Sequence, residues 1–133
     1  MNHPKVALMT FGDAREHEWE NLFRGLTKPR HRQMVEYLRG LPLELHAFDE
    51  VARSKAEIDA QVDQLKATGA EALVAHVPCW TGPNLVVRGV QRMSLPTLLV
   101  SNKHPGTHGT VGLLGAGGAL DQIGYPHLRV RES

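Results

Sequence analysis

The sequence predicts an α/β fold built as one domain. Strand-like runs alternate with helical ones from end to end, the runs expected at the centre are apolar throughout, and Gly and Pro fall singly between segments without linker or repeat. Its 133 residues, 41% hydrophobic and 22% charged, match the make-up of one globular unit and exclude a disordered chain.

Lys5 to Thr10 is a short, mostly apolar run ending at Gly12-Asp13, the pattern of a central strand buried on both faces. Trp19, Leu22, Phe23 and Leu26 then recur at helical spacing. Met34, Val35 and Leu38 resume that stripe after Thr27-Lys28-Pro29, which predicts a long helix kinked or restarted near Pro29. Gly40 and Pro42 end it, and Leu43 to Phe48 alternates apolar with polar, as an edge strand covered on one face does. Ser54-Lys55-Ala56-Glu57 is a capping box, followed by Ile58, Val62 and Leu65 on one helical face and Gly69 as a left-handed stop. Ala72 to Val77 reads as a second central strand halted by Pro78, and Leu85, Val86, Val90 and Met93 as a helix after Thr81-Gly82-Pro83. Thr97 to Ser101 is a strand, Asn102 to Gly109 a loop, Val111 to Ile123 a helix, and Leu128 to Arg131 a last strand. Five strands alternating with four helices imply a parallel sheet, right-handed crossovers and helices on both sides. The arrangement that fits is a flavodoxin-like three-layer α/β/α fold with strand order 2-1-3-4-5.

Ligands of such sheets meet the carboxyl ends of the strands, so Thr10 to Arg15, Pro78 to Pro83 and Ser101 to His108 are the loops to interrogate, all expected on one rim. The formal charge of +1 provides no broad field for a phosphate backbone, so a nucleic-acid partner is not expected. No apolar run nears the roughly 20 residues that span a bilayer, so no membrane partner is expected either. The single Cys79 forms no intrachain disulfide and the N-terminus lacks a secretory h-region, which makes the cytoplasm the expected compartment.

Phe11-Gly12-Asp13-Ala14-Arg15-Glu16 is too bulky and acidic to cradle a flavin or dinucleotide phosphate. Gly112, Gly115, Gly117 and Gly118 do not fit G-x-G-x-x-G in any register and read as close helix packing. Val77-Pro78-Cys79 puts no Asp where a phosphoacceptor would stand. Cys79 is either a strand-end thiolate nucleophile or a buried, pocket-lining thiol. His104 and His108 are four apart, but Pro105-Gly106 between them breaks the helical face a metal pair would need. Trp80 either stacks on the apolar face of a sugar or caps the sheet, and Asp13 and Arg15 either bind hydroxyls or cap and charge the first helix.

Val77-Pro78-Cys79-Trp80, with Asn102-Lys103-His104-Pro105-Gly106 leading into Val111-Gly112-Leu113-Leu114-Gly115-Ala116, resembles the N-terminal domain of the L-fucose isomerase and L-arabinose isomerase family. Lys5 to Arg15 and Gly118 to Pro126 look similar too, so the resemblance spans essentially the whole chain as a single N-terminal domain, residues 1–133. It implies a metal-dependent ketol isomerase that moves a proton between C1 and C2 of a sugar through an enediol. Mn²⁺ is the cation implied for the full-length enzyme, with none held by this chain and no catalytic residue on it. The resemblance makes Trp80 a stacking platform, Arg15 a hydroxyl contact and Asn102 a rim residue shaping the third loop, with Asp13 beside them. Expected partners are an aldose or ketose, C-terminal isomerase domains or a partner chain that carry the metal, and further copies in a homo-oligomer. The small residues from Gly112 to Ala119 suggest a helix that meets another subunit or domain closely. Two other readings stand beside this one: a stand-alone flavodoxin-like module for a small polar ligand, and an enzyme using Cys79.

Overall fold

Lys5–Thr10 (β1), Glu44–His46 (β2), Ala72–His76 (β3), Thr97–Asn102 (β4) and Leu128–Glu132 (β5) form one sheet in the order β2-β1-β3-β4-β5, every neighbouring pair parallel. The computed structural model describes residues 3–102 and 104–132. Side chains alternate across β1: Val6 and Leu8 face one layer with Val74 and Val100, while Ala7 and Met9 face the other with Leu73, Ala75 and Leu99. This two-sided burial is why β1 and β3 are apolar without a polar phase.

The first helical segment, α1, has three consecutive parts: Glu16–Glu18, a π-helical turn Trp19–Phe23, and Arg24–Arg39. Its Met34 and Leu38 cover the first face. Lys55–Lys66 (α2), Pro83–Met93 (α3) and Gly109–Gln122 (α4) cover the second, supplying Ile58, Val62, Leu65, Val86, Val90, Leu113 and Leu120 to its core. The predicted three-layer α/β/α arrangement and strand order are those observed. One face therefore carries three helices and the other carries α1 alone. Leu128 and Val130, aligned with Leu98 and Val100 on the α1 face, are left 71% and 41% exposed.

Pro29 does not restart the helix; it sits inside the uninterrupted Arg24–Arg39 stretch. The carbonyl its missing N–H would have met belongs to Gly25, which is exposed, so water can serve that acceptor. The irregularity falls at the π-turn, whose extra residue turns Trp19 and Phe23 inward against Val51 and Cys79. Leu22, predicted in the buried stripe, points to solvent instead.

β2 keeps only three of the six residues expected, although Ala47 and Phe48 still pack against the two cores. The capping box forms with a shift: Ser54 Oγ accepts from Glu57 N–H at 3.2 Å, but Glu57 Oε1 accepts from Arg53 N–H at 2.8 Å. Gly69 takes the left-handed φ of +77°. Part of the loop expected from Asn102 to Gly109 is a 3₁₀ turn, Pro105–Thr107. Arg88 bridges α3 to Asp59 on α2 at 2.8 and 2.7 Å, and this bond, the largest influence, holds the Asp59 carboxyl down to about 2.

Between the layers lies a polar chain that no sequence pattern announces. The Thr10 hydroxyl is 3.2 Å from His76 Nδ1 and 2.7 Å from His31 Nδ1, and His31 Nε2 is 2.6 Å from the Phe48 carbonyl. All three residues are buried. Burial lowers both histidines, His76 to about 3.

Three outcomes follow from this packing. A Cβ at Gly89 would lie 2.8 Å from Phe11 Cζ, on a ring with no room to move, so Gly89→Ala should lower unfolding free energy by ~1–3 kcal/mol. Gly25 meets nothing within 4 Å, and Gly25→Ala should raise it by ~0.5–1 kcal/mol, both read from urea midpoints. The histidines bind protons more readily unfolded than folded, so their contribution is complete above about pH 6.5 and drains away as pH falls toward 3. The urea midpoint should therefore already drop between pH 7 and pH 5, whereas the Asp59 contribution is lost only below its ordinary 3.8, as pH falls through about 2.

Candidate functional site

The ladder that ends β1 continues into the first loop. Phe11 N–H donates to the His76 carbonyl and Gly12 N–H to the Ala52 carbonyl, both at 2.9 Å. A Cβ at Gly12 would lie 2.8 Å from Val51 Cγ1, so the chain passes close beneath its neighbour there. This delivers Asp13 into the interior with no exposed surface. Its carboxylate accepts from Arg15 N–H at 2.9 Å, from Arg15 Nε at 3.0 Å and from Arg15 Nη2 at 2.7 Å. The bidentate fork fixes a guanidinium that is itself 51% exposed, and the bond to Asp13 raises its pKa further. Arg53 supports the loop from below, Nε donating to the Asp13 carbonyl at 3.0 Å.

The second loop presents Trp80 against this fork, with the Arg15 guanidinium carbon 4.3 Å from the ring centroid. Trp80 is half-buried and packs beside Trp19, Phe23, Val51 and Cys79. Its N–H donates to the Thr107 carbonyl at 2.9 Å, tying the second loop to the third. Asn102 completes the tie: Nδ2 donates to the Pro78 carbonyl at 2.9 Å, while Oδ1 accepts from His104 N–H at 2.9 Å and Thr107 Oγ1 at 3.0 Å. The three loops thus meet on one rim, as the fold class predicts.

Each of the four candidate residues lies there in a different capacity. Arg15 and Trp80 present surface to solvent. Asn102 has its amide committed to loop bonds. Asp13 neither faces solvent nor caps α1, because Arg15 takes its oxygens and the first helical turn has no side-chain cap. Two residues were not singled out by sequence reasoning: Glu18, whose Oε1 is 4.0 Å from Arg15 Nη1, and the supporting Arg53. The i,i+3 spacing of Arg15 and Glu18 was the available signal for the first; Arg53 is 40 residues from its acceptor and gives none.

Cys79 is buried, its thiol pushed up by burial against the weaker pull of the Thr27 and Thr81 hydroxyls, so the thiolate needed for nucleophilic attack is disfavoured. Gly112 and Gly115 are packing glycines: a Cβ would meet the Cys79 carbonyl at 2.8 Å and Pro83 Cγ at 3.1 Å. Gly117 lies beneath the Arg129 guanidinium, but Gly118 has nothing within 4 Å and does not fit that reading. His104 Nδ1 accepts from Gly106 N–H, and His108 packs edge-on to Phe23. Lys103 of the third-loop motif lies outside the described residues. Among the described residues no three His, Cys, Asp or Glu side chains converge as metal ligands. A separate cleft of about 390 Å³, lined by Trp19, Arg24, Lys28, Glu50, Arg53 and Gln61 among others, does not include Arg15 or Trp80. No described helix is long and apolar enough to cross a membrane.

Neither the curated proteins nor the solved structures contain a match to this chain. A family model does match, over residues 3–131, with the description "L-fucose isomerase, first N-terminal domain". The match covers four strands whole, the fifth but for Glu132, and all three rim loops, and the chain belongs to the family of L-fucose isomerase first N-terminal domains.

Proposed function

We propose that this domain is the substrate-recognition and assembly part of an aldose-ketose isomerase, presenting its rim as one wall of a sugar site whose metal-bearing catalytic groups lie on other domains or a partner chain. One observation carries the reading: the Asp13 fork leaves Arg15 Nη1 without a hydrogen-bond partner among the described residues, fixed above Trp80 and beside Glu18. A donor and a carboxylate acceptor at that separation suit neighbouring sugar hydroxyls, and an indole offers an apolar face to sugar C–H groups. Holding the guanidinium in advance avoids ordering a long side chain on binding.

Ketol isomerisation needs a group to move the proton between C1 and C2 and a cation to neutralise the enediolate. In the full-length enzyme Mn²⁺ would supply that cation; the described residues do not suit it, and this chain's part is to bind and orient. The assembly role rests on α4. Its inner face carries Gly112, Leu113, Ala116 and Leu120, yet Val111 and Leu114 lie exposed on the outer side with the unfilled Gly118. A helix apolar on both sides is normally covered on both, here by another copy in a homo-oligomer.

Because the sheet is complete without a partner strand, a second reading is a stand-alone flavodoxin-like module that binds a small polar ligand as a monomer. Titrating the chain with L-fucose, D-arabinose and L-arabinose should shift the Trp80 indole and Arg15 Nε resonances. Arg15→Lys, which keeps the charge but loses the fork, should weaken binding roughly tenfold, and Trp80→Ala should abolish it. Turnover by this chain alone with Mn²⁺ would overturn the division of labour. Leu114→Glu should shift sedimentation toward monomer without lowering the urea midpoint; a wild-type chain that is monomeric while binding sugar fully would favour the stand-alone module.

A further inference from the structure

The rim leaves unused the buried chain His76–Thr10–His31–Phe48, which spans β3, β1, α1 and the segment after β2. Its hydrogen-bond directions follow from donor and acceptor chemistry. The Phe48 carbonyl only accepts, so His31 Nε2 carries a proton. In neutral His31 the Nδ1 atom is then an acceptor and must receive the Thr10 hydroxyl proton. With its own proton committed, Thr10 Oγ1 accepts from His76, which requires a proton on His76 Nδ1. One tautomer is left for each ring.

We propose that the Thr10 hydroxyl joins His31 and His76 into a single proton-accepting unit that reverses direction when it takes up one proton, placing the charge on His31 beside the Phe48–Glu50 segment. The proton count closes. A solvent proton enters at His76 Nε2, which has no partner among the described residues; the Nδ1 proton of His76 passes to Thr10 Oγ1; and the former hydroxyl proton passes to His31 Nδ1. His76 is then neutral with its proton on Nε2, His31 holds two ring protons, and all three hydrogen bonds of the chain survive, the two to Thr10 with their direction exchanged and the one from His31 Nε2 to the Phe48 carbonyl unchanged.

Charge on His31 is favoured by Asp49 and Glu50 on the facing segment and opposed by Arg32 on its own helix. Arg30 and the charge on His31 itself both disfavour charge on His76. Lys28, Glu36 and Arg39 line the groove of about 380 Å³ that His31 borders with Phe48, Asp49 and Glu50. The device reaches the first rim loop through backbone: beyond Glu50 the chain returns to Ala52, whose N–H donates to the Thr10 carbonyl at 2.8 Å and whose carbonyl accepts from Gly12 N–H. The inference stands apart from the sugar reading, since it needs no ligand.

Long-range ¹H–¹⁵N spectra of the imidazoles in the whole chain, taken from pH 7.5 downward, test it. At pH 7.5 His31 should be protonated on Nε2 and His76 on Nδ1. On acidification a single midpoint should take His31 to the doubly protonated form and His76 to the Nε2 tautomer. Thr10→Ser should retain this coupled change, and Thr10→Val should remove it, His76 no longer following His31. The proposal is overturned by His76 protonated on Nε2 at pH 7.5, by His76 keeping Nδ1–H while His31 titrates, by persistence of the coupling in Thr10→Val, or by unfolding before His31 gains its proton. The wild-type tautomers at pH 7.5 decide the matter even where the valine variant fails to fold.

Discussion

β1 and β3 pair in register from Val6 opposite Ala72 to Thr10 opposite His76, and the ladder runs one residue further, where Phe11 donates to His76. Everything at the rim hangs from this pairing. It sets the first and second loops side by side, so that a carboxylate two residues beyond the ladder falls inside and an arginine four residues beyond it falls over Trp80. A buried Asp without a partner would be expensive, and the Arg15 fork offsets that desolvation while leaving half the arginine in water. The same bond thus makes the loop stable and makes its exposed surface definite.

How far this was legible depends on whether a feature is periodic or topological. β1 and β3 could be read because burial on two faces leaves a short run with no alternating polar phase, and Ser54-x-x-Glu57 because capping is local chemistry. The restart expected at Pro29 failed because the rule supposes a carbonyl that cannot reach water, whereas Gly25 is exposed. Leu22 failed because a π-turn changes the helical period midway through the stripe. The rim loops were legible as positions, since they follow from strand order. Their contacts were not: Arg15 meets Trp80 across 65 residues of chain, and Thr10, His31 and His76 are single polar residues within apolar patterns. The family was legible because short motifs kept their order along the chain, and order survives where spacing carries no chemistry.

The site differs from a self-sufficient pocket in where its polar groups go. Asn102 spends its amide on Pro78, His104 and Thr107, Trp80 its N–H on Thr107, and Asp13 its carboxylate on Arg15. Most of the polar capacity of the rim holds the rim together, and little is left over for a ligand. That economy suits a surface that orients one side of a substrate.

Among the described residues β5 has a strand neighbour on one side only, and its Leu128 and Val130 face solvent. Such an edge invites strand addition by another molecule, and charged side chains are the common guard against it. Arg129 is engaged by Asp121, and Arg131 is exposed on the same strand, a cation that repels the same cation of a second such edge. That repulsion acts through solvent and is screened within about 8 Å at physiological ionic strength. Raising the salt therefore weakens this guard, and edge-to-edge contact between copies is the association that salt favours.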